Sequence, residues 1–171
     1  MRLFLKNLVF TILVPGSVAG WIPWRWIIPR DFHRPAVWGA AQLLALLPLG
    51  LGLAVYLWCV WDFAVTGRGT PAPIDAPRVL VVRGLYRSVR NPMYIGVLLV
   101  LLGESLLFRS TTLLTYTAVV ALLFHLVVLV IEEPSLRRLF GDSYLAYCRR
   151  VRRWAPRLPV EPATEPPSGG R

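Results

Sequence analysis

Charge is scarce in this chain. Only 16% of its 171 residues are Asp, Glu, Lys or Arg, against about 25% in a soluble domain. Acids are rarest, at 9 Asp plus Glu, while 56% of residues are hydrophobic. So much apolar side chain excludes disorder for the bulk of the chain. It also excludes a water-soluble single domain, whose interior could not hide it all. Cysteine is nearly missing: Cys59 and Cys148 stand far apart with no CxxC pattern, which excludes a disulfide framework and a zinc cluster. Only two histidines occur, and one His beside two Glu is too small a donor set for a metal site. No Ser or Thr has a His/Asp partner pattern, so a nucleophile triad is not visible. Gly67-Arg68-Gly69 lacks the strand–helix context of a dinucleotide-binding turn. The cationic C-terminal region lacks the aromatic interleaving suited to nucleic acid.

What is present is apolar sequence in runs. The expected class is an all-α integral membrane protein with about four transmembrane helices. Segment one runs from about Leu3 to Trp26, with Trp21, Trp24 and Trp26 as an interfacial belt. Arg2 and Lys6 before an apolar heart, and the small-x-small run Ser17-Val18-Ala19, also fit a cleaved signal peptide. Segment two, Ala36 to Trp61, is free of charge. Its 26 or so residues reach about 39 Å, enough to span with tilt. Pro48 is expected to kink it, and Gly50 and Gly52 to allow close helix approach. A Gly/Pro-rich polar loop follows from Asp62 to Asn91. Segments three (Pro92 to Phe108) and four (Thr111 to Ile131) form a helical hairpin about Arg109-Ser110. After Glu132-Glu133-Pro134, apolar positions 136, 140, 144, 147 and 151 recur at helical spacing with arginines on the other faces. That pattern predicts an amphipathic helix at the membrane surface. Residues 1–156 read as one membrane-embedded domain. Residues 157–171, rich in Pro, Glu, Ser and Gly, read as a disordered tail.

Four spans put the N-terminus, the 62–91 loop and the C-terminal region on one side, with 15 cations against 4 on the other. The positive-inside bias then places both termini in the cytoplasm, and this topology favours a retained first segment. Lys6 is the single lysine among 19 basic residues. This bias toward arginine hints at a GC-rich genome, and a bacterial inner membrane is the expected location.

Polar groups within lipid are costly and so informative. Counting from the turn near residue 110, Glu104 lies about 9 Å deep and His125 about 22 Å, too far apart to pair. Glu104 is level with Thr115, Tyr116 and Thr117 and is expected to glue the hairpin. His125 is level with Tyr94, Ile95 and Gly96, and Glu132 lies seven residues beyond it on the same helical face. One cytoplasmic corner therefore gathers Arg87, Arg90, Asn91, Tyr94, His125, Glu132, Glu133, Tyr144, Tyr147 and Arg150. The plain alternative is that the acids and arginines simply pair at a wet interface.

Three blocks are recognisable. GRGTPAP (Gly67 to Pro73), RGLYRSVRNPMYIG (Arg83 to Gly96) and EEPSLRRLFGDSYLAYCRRV (Glu132 to Val151) resemble, in order and spacing, the membrane methyltransferase family of isoprenylcysteine carboxyl methyltransferases and phospholipid N-methyltransferases. The resemblance covers about half the chain. It implies a cytosol-facing S-adenosylmethionine site formed by Arg90, Asn91, Pro92, Tyr94, Gly96, Glu132 and Glu133. Gly67 and Gly69 are similar to a Gly-x-Gly cofactor element, and Arg150 is the counterpart of a basic residue before a Val-Pro pair. Two positions depart from the family pattern. Asn91 stands where many members have His, and Asn cannot titrate near neutrality. Arg152 stands where a Pro usually follows the valine.

The residue chemistry agrees with that implication. Such a cofactor needs an acid for its ammonium, a cation for its carboxylate and an aromatic wall for its ring. Glu132 and Glu133, Arg90 or Arg150, and Tyr94 or Tyr144 supply these. His125 and Glu133 are the nearest candidates for a proton acceptor. The expected activity is methyl transfer to a lipophilic acceptor drawn from the bilayer, either an amine headgroup or an isoprenylcysteine-like carboxylate or thiol. A membrane reductase of related architecture and a non-enzymatic scaffold are the alternatives.

Overall fold

The computed structural model describes residue 13 and residues 15–31, 39–66, 80 and 82–156. The Gly67–Gly69 pair, most of the Gly/Pro-rich loop and the 157–171 tail lie outside the described residues. The architecture is helical, with no strand among the described residues; Val89 and Arg152 alone form an isolated parallel bridge.

Among the described residues, five α-helical elements follow one another. The first, α1, is helical over 15–31 and includes two π-helical turns, Ser17–Trp21 and Pro23–Ile27. The second, α2 (Ala40–Thr66), continues through Pro48. Then come α3 (Pro92–Leu107) and α4 (Thr111–Val127), and after a π-helical turn at Val128–Glu132, α5 (Glu133–Arg150). Pro134 explains that wider turn. In a continuing α-helix its ring would strike the carbonyl four residues back, and the turn opens room for it.

Among the described residues, two helical stretches are long and apolar enough to cross a membrane. They begin at Ala40 and Thr111, and only 17% and 11% of their apolar windows are buried within the protein. A core helix of a soluble protein would be mostly covered, whereas here Leu47 (67% exposed) and Val130 (70%) face outward. The stretch from Thr111 runs 40 residues to Arg150, about 60 Å, or twice a bilayer core of about 30 Å. Its charge-free part ends at Ile131, so the spanning portion stops there and α5 lies beyond it. The 16 residues of α3 reach only about 24 Å. Among the described residues, two stretches meet the length of a full span and α3 is shorter, while about half of the expected first segment, residues 3–12 and 14, lies outside the described residues.

The α2–α3 contact is made by glycine. A Cβ on Gly52 would stand 2.6 Å from the Gly96 carbonyl oxygen, and one on Gly103 would stand 2.6 Å from Leu49 Cβ. Absence of side chains lets the two backbones touch. Gly50, expected to share this role, faces open space. The α3–α4 hairpin closes on Leu101 and Leu113, both fully buried, with Val97, Val120 and Ile28 of α1 around them. Arg109 takes φ 50° at the turn, and the Ser110 hydroxyl accepts the Leu113 N–H at 2.9 Å, capping α4.

The hairpin's polar glue differs from expectation. Ser105 and Thr117 meet at 3.3 Å across α3 and α4, while Glu104 accepts the Trp24 indole N–H at 3.2 Å. The carboxyl thus ties α1 to the hairpin. Tyr116 also reaches α1, donating to the Val18 carbonyl at 3.0 Å. The small-residue run at 17–19 is therefore packed against α3 and α4.

The amphipathic segment is also broken. Gly141 has φ 51° and ψ −127° inside α5, a conformation open to glycine and disfavoured for other residues. Two short helices replace the continuous one that the periodicity predicts.

Candidate functional site

The site forms where the start of α3, the end of α4 and both ends of α5 converge. The chain enters through a 3₁₀ turn, Gly84–Arg87. Gly84 is required there: its φ is 53°, and a Cβ would fall 2.0 Å from an Asp62 carboxylate oxygen at the end of α2. The turn delivers Arg90, Asn91 and Pro92. Pro92 opens α3, where its missing N–H costs nothing, and is fully buried.

Tyr94, on the first turn of α3, donates its hydroxyl to Glu132 Oε1. Phe124 of α4 stacks on Tyr94 at 4.5 Å between ring centroids, so the depth matching read from the sequence is correct here. Glu133 is buried at 4% exposure and gathers three arginines. Arg90 Nη1 donates to its Oε1 at 3.1 Å, while Arg153 donates through Nε at 2.6 Å and Nη2 at 2.9 Å. Arg137 stands 3.7 Å away. The Arg153 fork uses both carboxylate oxygens, the strong bidentate geometry of this pair.

Arg153 reaches Glu133 because α5 stops. Val151 is extended (φ −118°, ψ 129°), and the next residues run back across the site as a short strap. Arg90 N–H donates to the Arg152 carbonyl at 2.9 Å, and the Asn91 amide donates to the Arg153 carbonyl at 3.2 Å. Trp154 then lies against Tyr94 and His125, at 6.5 Å and 6.0 Å between centroids. Its indole N–H donates to His125 Nδ1 at 3.0 Å.

The two acids are electrostatically unlike. Burial opposes ionisation of Glu133, but the Arg153 hydrogen bonds and the charges of Arg90, Arg153 and Arg137 outweigh it and hold its carboxyl below the usual range. Burial pushes Glu132 the other way, opposed by the Tyr94 hydrogen bond and reinforced by the charge of Glu133. Tyr144 and Tyr147 are buried and pushed up mainly by burial. They remain neutral, and Tyr147 donates to the Tyr86 carbonyl at 2.7 Å.

Of the residues expected at this corner, Arg90, Asn91, Pro92, Tyr94, Glu132 and Glu133 come together. Gly96 is buried but spends its smallness on α2, where a Cβ would meet the Gly52 carbonyl at 2.9 Å. Tyr144 stacks on Tyr147 at 6.2 Å and also stands near Arg90 and Glu133, at the edge of the site. Arg150 is exposed, and Arg153, three residues on, takes the position by the acids. Of the two residues expected to accept a proton, His125 accepts the Trp154 indole N–H at Nδ1, and Glu133 accepts three hydrogen bonds from Arg90 and Arg153. Sequence reasoning missed Arg153 and Trp154, whose signal was a cation and an aromatic between the last helix and Pro156.

One orphan marks the site: Arg90 Nε is buried without a hydrogen-bond partner among the described residues. No group of three or more His, Cys, Asp or Glu among those residues could hold a metal ion.

Comparison with known proteins follows the same residues. No solved structure matches the chain. Over 126 residues, 71% of this chain, it is 35% identical to the cobalt-zinc-cadmium resistance protein CzcN of Cupriavidus metallidurans, and it spans about half (52%) of that relative's length. Residues 40–143, from the start of α2 into α5, match the family described as phospholipid methyltransferase. With α2, α3, α4 and the paired acids all inside that match, the chain belongs to the phospholipid methyltransferase family.

Proposed function

We propose that the protein is a membrane methyltransferase that uses S-adenosylmethionine to methylate a lipophilic acceptor at the cytoplasmic membrane face. The observation carrying this reading is the joining of two separated sequence blocks: Tyr94 binds Glu132 while Arg90 binds Glu133. Family membership supports methyl transfer to a lipid.

The residues present fit the cofactor. Arg90 Nε is an orphaned buried donor suited to a carboxylate. Glu132, which pairs with no arginine among the described residues, suits an ammonium group. Tyr94 and Trp154 offer aromatic faces to a cationic sulfur. When bound, the cofactor supplies an already electrophilic methyl group. The chain's own task is then to orient the acceptor, exclude water and hold charge. Tyr94, Phe124 and Trp154 make an apolar aromatic wall beside Glu132, and the arginines keep Glu133 ionised. The acceptor classes are an amine headgroup or an isoprenylcysteine-like carboxylate or thiol, entering laterally from lipid. Both termini are cytoplasmic in this proposal, with the site on the cationic side of the membrane.

The test is transfer of labelled methyl from S-adenosylmethionine into a lipid extract by membranes carrying the protein. Label in the lipid fraction, lost in Glu132→Ala, supports the reading. No label above control membranes contradicts it.

A further inference from the structure

Glu133 and Glu132 are neighbours in sequence, yet they are treated oppositely. Two hydrogen bonds from Arg153 and one from Arg90 converge on Glu133, which fills most of the acceptor capacity of one carboxylate. Glu132 receives a hydroxyl proton from Tyr94. Arg90 is shared: the same Nη1 that meets Glu133 also lies 2.8 Å from Cys148 Sγ, and this fixes its guanidinium while Nε has no hydrogen-bond partner among the described residues. Arg153 is itself held by backbone, because the strap is anchored at Asn91 and Arg90 and ends on the Trp154–His125 bond.

We propose that Arg153 is a positioning residue of the methyl-transfer site. By forking onto Glu133 it fixes the acid that orients Arg90, and it leaves Glu132 as the carboxylate available to a cationic ligand. The inference rests on the proposed function for the identity of that ligand. A lysine could not replace the fork, since an ammonium is a point charge without a planar pair of donors.

The groups facing Glu133 are Arg90 from the 84–91 turn, Arg137 and Glu132 from its own chain segment, Arg153 from the strap, and Tyr144 from beyond the Gly141 break. Removing Arg153 leaves Arg90 and Arg137 as the cations at Glu133 among the described residues, so the protonation midpoint of Glu133 rises. A residue with only a packing role would not move that midpoint.

The experiment uses the full chain in detergent micelles. S-adenosylhomocysteine is titrated by calorimetry, and carboxyl protonation is followed by pH-difference infrared spectroscopy. The band that disappears in Glu133→Gln identifies Glu133. In Arg153→Gln the expected results are an upward-shifted Glu133 midpoint and binding weaker by on the order of tenfold to a hundredfold. Arg153→Lys, which keeps the charge, restores the midpoint more fully than the affinity. Equal affinity in wild type and both variants overturns the positioning role and leaves the proposed function intact. No binding by the wild type, with the midpoint shift present, overturns the proposed function and leaves the hold of Arg153 on Glu133 standing.

Discussion

Trp154 donates its indole N–H to His125 Nδ1 at 3.0 Å, joining the strap after α5 to the C-terminal end of α4. The bond gives the only histidine among the described residues a structural task. A general base contributes about 10²–10⁴-fold to rate. His125→Asn is therefore expected to retain methyl transfer within about tenfold of wild type at saturating cofactor, short of that range, and Trp154→Phe to show a similar loss. A His125→Asn loss above a thousandfold, with Trp154→Phe unaffected, would assign the ring to proton transfer instead.

The glycine contact between α2 and α3 makes a stability prediction. Gly52→Ala places a Cβ against the Gly96 carbonyl, so the helices must separate. The expected cost is about 1–3 kcal/mol, read as a lower unfolding midpoint in detergent. Gly50→Ala, which meets nothing within 4 Å, is the control and leaves the midpoint unchanged or raises it.

The acid limb of stability follows from Glu133. Its folded pKa is lowered from a reference value of 4.5, so it stabilises the fold fully above that value. The contribution is lost as pH falls below 4.5 and through the lower folded pKa. Glu132, raised by burial, acts in the opposite sense: its effect favours the fold at low pH and weakens as pH rises. The difference between wild type and Glu133→Gln isolates the first term. Thermal melts between pH 3 and 7 are expected to show a wild-type advantage at pH 6 that shrinks below pH 4.5. A difference that does not vary with pH contradicts the arginine hub.

The topology makes a separate prediction. Gln42, at the start of α2, meets Arg109 of the hairpin turn at 3.4 Å, while the far end of α2 meets Gly84. In a cysteine-free background, a single cysteine at Arg109 is expected to react with an impermeant reagent from outside intact cells, and one at Arg138 only after permeabilisation. The reverse pattern would invert the protein in the membrane.

Much of this arrangement could be read from the sequence. Apolar runs locate α2, α3 and α4, and counting 1.5 Å per residue from the turn puts His125 level with Tyr94. Those inferences rest on helix geometry, which is regular. The errors arise where geometry stops being regular. The π-helical turn at Val128–Glu132 interrupts the regular α4 helix just before the acids; Glu132 still meets Tyr94 at the expected corner, while His125 meets Trp154, which the helical projection does not reach. Gly141 breaks α5 although the apolar spacing continues through it. Past Arg150 a helical projection has no meaning, and an extended strap puts Arg153, rather than Arg150, on Glu133. Depth alone assigns Glu104 to the hairpin, and nothing in linear sequence reveals its bond to Trp24 of α1.

Calorimetric titration of S-adenosylhomocysteine into the purified protein tests the central claim most directly, with Glu132→Ala and Arg90→Ala beside the wild type. The account predicts saturable binding by the wild type and none by either variant. Unchanged affinity in both variants, with folding intact, would contradict it.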